Sequence, residues 1–308
     1  MKNIRIGTRE SQLALWQANQ VKDLLAAHGY PAELVLIKSE GDIDLQTPLY
    51  EIGVQGIFTK TLDIALLNGH IDIAVHSMKD VPTQLAKGIR HAAVLPRGSY
   101  KDILVTREAN EVSDLKSQIS NLTIATSSIR RKAQWLHRFP DHNIDNLRGN
   151  VNTRLQKLAD SNWYGAIFAA AGLERIGLRP ANSIDLDWML PAPAQGAILV
   201  VCREDDERSY DACRAFHDAH TAICTQAERD FLRGLMGGCS TPISALATVV
   251  GDELHFEGNI YSLNGKEKVE IKRTVPLKDA AALGIQAAET IRNNGGEAIL
   301  EGIRNAAK

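Results

Sequence analysis

Four cysteines occur in 308 residues, Cys202, Cys213, Cys224 and Cys239, without a CxxC pair or a histidine at metal-ligand spacing. That pattern argues against a zinc site, and a chain this long with so few thiols is not a disulfide scaffold. Reduced thiols in a cytoplasmic protein are the expectation. No apolar run approaches the ~20 residues of a membrane helix. The first residues, Met1-Lys2-Asn3-Ile4-Arg5, enter a strand-like alternation without the apolar stretch and cleavage site of an export signal. Charge of one sign is lacking too. Lys and Arg number 35 against 37 Asp and Glu, a net charge of -2, which argues against a general nucleic-acid binder. The chain has no phosphate-binding loop of the nucleotide-hydrolase type, no dinucleotide-binding glycine pattern, no fixed-period repeat and no low-complexity tract.

What is present is an ordinary globular balance, 44% hydrophobic and 23% charged, over a length that suits two or three domains. Strand and helix alternate through the first two thirds. Ile4 to Ile6 reads as a strand, Ser11 to Ala27 as a helix, Glu33 to Ile37 as a strand, Phe58 to Leu67 as a helix and Ile71 to Val75 as a strand. A second series starts near Lys101, with strands at Leu122 to Ala125, Asn143 to Leu147 and Ala166 to Ala171. Its helices start near Ser127 and span Val151 to Ala159. The Pro191-Ala192-Pro193-Ala194-Gln195-Gly196 stretch reads as a hinge, and Ala197 to Cys202 as a strand that returns to the first sheet. After Asp205 come two helices, strands near Ile243, Leu254 and Val269, and two closing helices. The expected fold is therefore α/β, two lobes with a cleft, plus a smaller C-terminal α+β domain. The expected boundaries are 1–97 with 195–216, 98–194, and 217–308.

Four segments put polar residues where a strand ends and a helix begins, the usual ligand position in parallel α/β sheets. In Gly7-Thr8-Arg9-Glu10-Ser11, either Thr8 or Ser11 suits a helix cap, and Arg9 suits a carboxylate fork. In Thr126-Ser127-Ser128-Ile129-Arg130-Arg131, hydroxyls and two guanidiniums share a helix start; an anion site and a capped helix with surface arginines are evenly matched. Arg148 and Arg154 bracket the Gly149 turn in the third segment. The fourth, His76-Ser77-Met78-Lys79-Asp80, offers a base and an acid together, although an Asp after Lys is by itself more often a turn residue or a surface ion pair. So many arginine forks in a net-negative chain would repel one another without a polyanionic ligand. Cys239 follows Gly237-Gly238 on a flexible turn and is a candidate for covalent attachment, against the plainer role of a packing cysteine. Cys213 and Cys224 sit in helical stretches and read as packing.

The segments GTRESQLAL, DIAVHSMKDVP, TSSIRR, LRGNVNTRL, AAAGLERIGL, PAPAQGA and GGCSTPI, running from residue 7 to residue 243, resemble the ordered motifs of the hydroxymethylbilane synthases (porphobilinogen deaminases). The resemblance implies three domains, the first two similar to two-lobed periplasmic binding proteins. It also implies a dipyrromethane cofactor joined by a thioether to Cys239, and a transferase that links four porphobilinogens with loss of ammonia in tetrapyrrole (haem) biosynthesis. By resemblance, Lys79, Ser127, Ser128, Arg130 and Arg131 hold the cofactor carboxylates. Arg9, Ser11, Arg148 and Arg154 bind incoming substrate or the growing chain, and Asp80 is the catalytic residue, stabilising the cation left by deamination and assisting proton transfer. The resemblance implies a monomer with no metal, nucleic-acid or membrane partner.

The chain departs from the family pattern at four places. Gln55 stands where many members have lysine, Ala194 and Asn152 stand at glycine positions, and Val201 occupies a position often held by glutamate. Two other readings remain open on sequence alone. One is a noncatalytic two-lobed binding protein, since fold does not imply function. The other is a degenerate relative that binds porphobilinogen without turning it over.

Overall fold

The computed structural model describes residues 2–38, 59–108, 121–238 and 241–306. Cys239 and Gln55 lie outside the described residues.

The first sheet is built from β1 (Ile4–Thr8), β2 (Ala32–Leu36), β3 (Ile73–Ser77), β4 (Ile89–Val94) and β10 (Ile198–Arg203), in the order β2-β1-β3-β10-β4. β1 is parallel to β2 and β3, whereas β10 is antiparallel to both of its neighbours. The second sheet repeats the plan with β5 (Asp102–Thr106), β6 (Thr123–Ala125), β7 (Asn143–Asp145), β8 (Gly165–Ala169) and β9 (Ser183–Asp185), in the order β7-β6-β8-β5-β9. There β6 is parallel to β7 and β8, and β5 is antiparallel to β8 and β9. Each sheet carries apolar clusters on both faces, as sheets with helical crossovers require. Two crossovers, residues 95–101 and 186–197, connect the lobes.

Helix positions follow from local sequence. Ser11 has extended backbone and accepts from Ala14 N at 3.3 Å, so it caps α1 (Gln12–Ala27). Thr8 instead donates to Ala14 O at 3.1 Å. α2 spans Lys60–Leu67. Ser128 caps α3 (Ile129–Arg138), and Asn150 caps α4 (Val151–Ala159). The expected strand at Ala166 to Ala171 stops at Ala169, and α5 (Ala170–Arg175) begins there. Alanine is the strongest helix former and fits a buried strand equally well, so the three alanines did not mark the change. Strands β4 and β9 were not expected from the sequence.

The C-terminal region has α6 (Glu207–Arg214), α7 (Ala219–Gly234) and an antiparallel three-stranded sheet, β11 (Ile243–Val250), β12 (Glu253–Tyr261) and β13 (Lys268–Pro276). α8 (Leu283–Ile291) and α9 (Glu297–Ala306) close the chain. α7 and α8 pack on the sheet through Phe231, Phe256, Leu283 and Ala288. Cys202, Cys213 and Cys224 are buried free thiols. Burial pushes the Cys224 thiol up to about 11 and leaves it inert.

Candidate active-site cleft

The first βα turns of both lobes open into one cleft of about 320 Å³. Arg9, Ser11, Lys79 and Asp80 line it from the first lobe. Ser127, Ser128, Arg130, Arg131, Arg148 and Arg154 line it from the second. Every expected site residue except Cys239, which is not described, is thus gathered in one place. Gly238 and Thr241, on either side of that cysteine, are tied together. Thr241 Oγ1 donates to Gly238 O at 2.8 Å, and Gly238 N donates back at 3.1 Å.

Asp102, which no sequence motif singles out, anchors the basic wall. It is fully buried at the start of β5. Arg131 donates to its Oδ1 through Nε at 3.0 Å and Nη2 at 2.8 Å, and to Ile167 O through Nη1 at 2.9 Å. Arg130 Nη1 lies 2.7 Å from Asp102 Oδ2 and donates to Leu190 O at 2.8 Å. Burial alone would raise the Asp102 carboxyl, but the two guanidiniums outweigh it and hold the group far below the usual carboxylate range. The expectation that only an anionic ligand could relieve the arginine cluster therefore needs correction, since an internal carboxylate already offsets part of the charge. Asp102 occupies one side of these guanidiniums, and both residues still line the cleft.

Gln195, from the second crossover, links this pair to the opposite lobe. Its Nε2 donates to Asp102 Oδ1 at 3.0 Å and to Tyr100 O at 2.8 Å, while its Oε1 accepts from Lys79 Nζ at 3.2 Å. Lys79 and Asp80 belong to a single 3-10 turn, Met78–Asp80, directly after β3. Arg229 on α7 holds that turn from behind by donating to Met78 O at 3.2 Å, Val81 O at 2.9 Å and Pro82 O at 2.5 Å. Burial lowers the Lys79 ammonium to about 8, with Asp80 opposing the shift and Arg131 adding to it. Arg154 is pushed down to about 10 by burial and by the nearby Arg131 and Arg148, with Asp80 again opposing. Asp80 therefore faces basic groups of both lobes.

The hydroxyls have structural duties as well. Ser127 Oγ donates to Leu147 O and accepts from Leu147 N at 3.1 Å, bracing the two loops together. Ser128 accepts from Arg131 N at 3.4 Å as the helix cap. Arg154 Nε donates to Gly149 O at 2.7 Å, which fixes the guanidinium over the turn. Arg175 is a further lining residue that sequence reasoning passed over, although it lies in the AAAGLERIGL segment. It donates to Gly196 O at 2.7 Å, and burial lowers it to about 10. His76, next to the turn, is buried and held at about 4 by burial and by Arg9, so it is neutral at neutral pH.

Among the described lining residues the cleft has seven basic side chains and a single carboxylate, Asp80. Guanidiniums fixed by internal partners are preorganised forks for carboxylates, and the donor set suits a polycarboxylate ligand. Among the described residues no three His, Cys, Asp or Glu side chains converge as metal ligands, and no helix is long and apolar enough to cross a membrane.

Residues 4–211 match the family described as porphobilinogen deaminase, dipyromethane cofactor binding domain, and residues 222–293 match the porphobilinogen deaminase C-terminal domain. The chain is 42% identical over 301 residues to the porphobilinogen deaminase of Syntrophotalea carbinolica, covering 96% of this chain and 95% of that one. It is 43% identical over 295 residues to the porphobilinogen deaminase of Paracoccus denitrificans, covering 94% and 93%. Among solved structures, the methionine-binding protein MetQ aligns at 14% identity with a TM-score of 0.44, over 71% of this chain and 92% of that one. That overlap is too loose to add to the strand order described above.

Proposed function

This chain belongs to the porphobilinogen deaminase family, and from that premise we propose that it is a hydroxymethylbilane synthase working in the cleft between its lobes. It joins four porphobilinogens head to tail, releasing ammonia at each step, and then frees linear hydroxymethylbilane by hydrolysis. The observation that carries the residue assignment is the isolation of Asp80 in a cleft whose other charged lining groups are basic and come from both lobes.

Each pyrrole unit carries an acetate and a propionate, so substrate and growing chain are polyanions that call for many cationic forks. The donor set of the second-lobe wall, together with Lys79 from the first lobe, fits the carboxylates of a dipyrromethane, and we assign Lys79, Ser127, Ser128, Arg130 and Arg131 to hold them. When bound, that group supplies the free pyrrole position to which the first substrate unit is joined. Its attachment point is Cys239, supported by the Gly238–Thr241 ties that fix the chain on either side. Arg9, Ser11, Arg148 and Arg154 bind the incoming substrate or elongating chain. Loss of ammonia from the aminomethyl group of porphobilinogen leaves a cation delocalised over the pyrrole. Asp80 stabilises that charge and accepts the proton displaced when the new carbon–carbon bond forms. Lys79 and Arg154 lie beside Asp80, which brings the carboxylate that meets the cation together with groups that bind ligand carboxylates.

The domain assignment that goes with this reading is 1–97 with 195–216, 98–194, and 217–308, supported by how the strands divide among the sheets. The reading also takes the protein as a cytoplasmic monomer without nucleic-acid or membrane partners.

The deciding experiment is intact mass of the denatured protein, followed by peptide mapping. The expected result is a dipyrromethane adduct on the Cys239 peptide and steady-state release of hydroxymethylbilane from porphobilinogen. An adduct on another cysteine overturns the attachment. An adduct without turnover identifies a degenerate relative. A chain that builds no adduct on incubation with porphobilinogen is a noncatalytic binder.

A further inference from the structure

The lobes are connected at the back of the cleft by the crossovers and by Gln195. At the front, a side-chain hydrogen bond that the catalytic reading does not use joins a helix of each lobe. Asn152 Nδ2 on α4 donates to Gln12 Oε1 on α1 at 3.0 Å. Both residues line the cleft and both are exposed, which places the bond at its rim. Each occupies the first turn of a helix that opens into the cleft, two residues or fewer beyond the caps Asn150 and Ser11. Behind the pair, the Arg175 guanidinium lies 5.6 Å from the Trp16 ring centre, a second contact between α5 and α1.

We propose that Gln12 and Asn152 form a latch across the rim, closing the lobes in the resting chain and parting as the bound product lengthens. The inference rests on the synthase reading. A cleft of about 320 Å³ is at the low end of the roughly 300–1,000 Å³ that pockets for a single drug-sized ligand occupy. Four further pyrroles, each with two carboxylates, call for more enclosed room than that, and separation of the lobes about the crossovers would supply it. An exposed bond between neutral amides suits the task, because water replaces it at small cost each time it opens. A buried ion pair at the same place would resist every cycle.

The test uses Gln12→Ala, Asn152→Ala and the double variant with two readouts. The first is hydrogen exchange of the chain without substrate. Loss of the latch should speed exchange about two- to fivefold across the cleft from each substitution. Gln12→Ala should act on 151–159 and 170–175, and Asn152→Ala on 12–20. Exchange that changes only in the substituted helix indicates local fraying and overturns the proposal. The second readout is the mass ladder of covalent intermediates after rapid mixing with porphobilinogen. The third and fourth additions should accelerate about two- to fivefold relative to the first, by the same factor in both single variants and the double. Multiplying effects in the double variant, or equal changes at all four additions, overturn the latch. If the unsubstituted chain forms no ladder, the synthase reading fails, and the cross-lobe exchange still decides whether the latch exists.

Discussion

Lys79 is a cation whose charge the cleft has made conditional. Burial lowers its ammonium to about 8 from an ordinary value near ~10.4. Between those values the unfolded chain holds more protons than the folded one, so this lysine's contribution to stability rises with pH across that window and is least favourable below it. Carboxylate binding favours the charged form. Dipyrromethane assembly on the apo chain should therefore be level below about 8 and weaken above it, and in Lys79→Gln that decline should vanish; adduct yield by intact mass at a series of pH values checks this. Asp80→Asn should fold normally and lose roughly 10²–10⁴-fold in turnover, read from steady-state rates beside circular dichroism. Near-normal activity would remove Asp80 from the chemistry. Asp102 works the other way from Lys79. Its carboxyl is held down by Arg130 and Arg131, so its stabilisation is full above the ordinary carboxylate value and is lost as pH falls toward its folded value. Asp102→Asn strands two buried guanidiniums and should cost about 3–5 kcal/mol in urea unfolding, together with dipyrromethane assembly. Arg9, Lys79, Asp80 and the later arginines were legible because each lies at a strand-to-helix junction. Asp102 was not, because an acid after Lys101 at a strand start looks like a surface ion pair until Arg130 and Arg131 are brought against it.

At the scale of elements, the same asymmetry recurs. Ser11, Ser128 and Asn150 announce their helices because a cap is a local device, three residues wide. β4 carries Arg90 and His91 amid its apolar residues, and β9 has only three residues, so neither has the periodicity that marks a strand. Beyond its Ser128 cap, α3 also has non-local support. The turn between β12 and β13 reaches it through Gly265, whose carbonyl accepts from His137 Nδ1 at 2.7 Å. Gly265 has φ of +74°, and a Cβ there would sit 2.5 Å from Ala133 O and 2.8 Å from His137 N. Gly265→Ala therefore combines backbone strain of about 1–2 kcal/mol with a forced retreat of the turn from the helix that carries Arg130 and Arg131. Gly251 at φ +60° has nothing within 4 Å and isolates the strain alone. Urea unfolding should show Gly265→Ala more destabilised than Gly251→Ala, and porphobilinogen affinity should fall only in the former. Equal losses would mean that the turn does not support the helix.

Over the whole molecule, a single buried carboxylate joins the parts that must move. Glu228 on α7 is fully buried, and both of its oxygens are used twice. Oε1 accepts from Arg97 Nη1 at 2.6 Å and Ala247 N at 2.7 Å; Oε2 accepts from Arg97 Nη2 at 3.1 Å and Ala194 N at 2.6 Å. Arg97 belongs to the first crossover, Ala194 to the second and Ala247 to the third sheet, and Arg97 Nε also donates to Gln195 O at 2.9 Å. The N–H taken by Oε2 belongs to a residue at φ +61°, a left-handed backbone that an alanine adopts only when its surroundings hold it there. Both crossovers are thus fastened at one point to the C-terminal domain. A buried pair with all its hydrogen bonds made contributes little net stability compared with apolar packing, but losing one partner leaves an uncompensated charge. Glu228→Gln should accordingly cost about 3–5 kcal/mol and split a shared unfolding transition in calorimetry into separate ones for the lobes and the C-terminal domain. Arg97→Met combined with Glu228→Gln removes both charges and should recover part of that loss. If the two substitutions add instead, the residues act independently and the clasp is not what couples the domains.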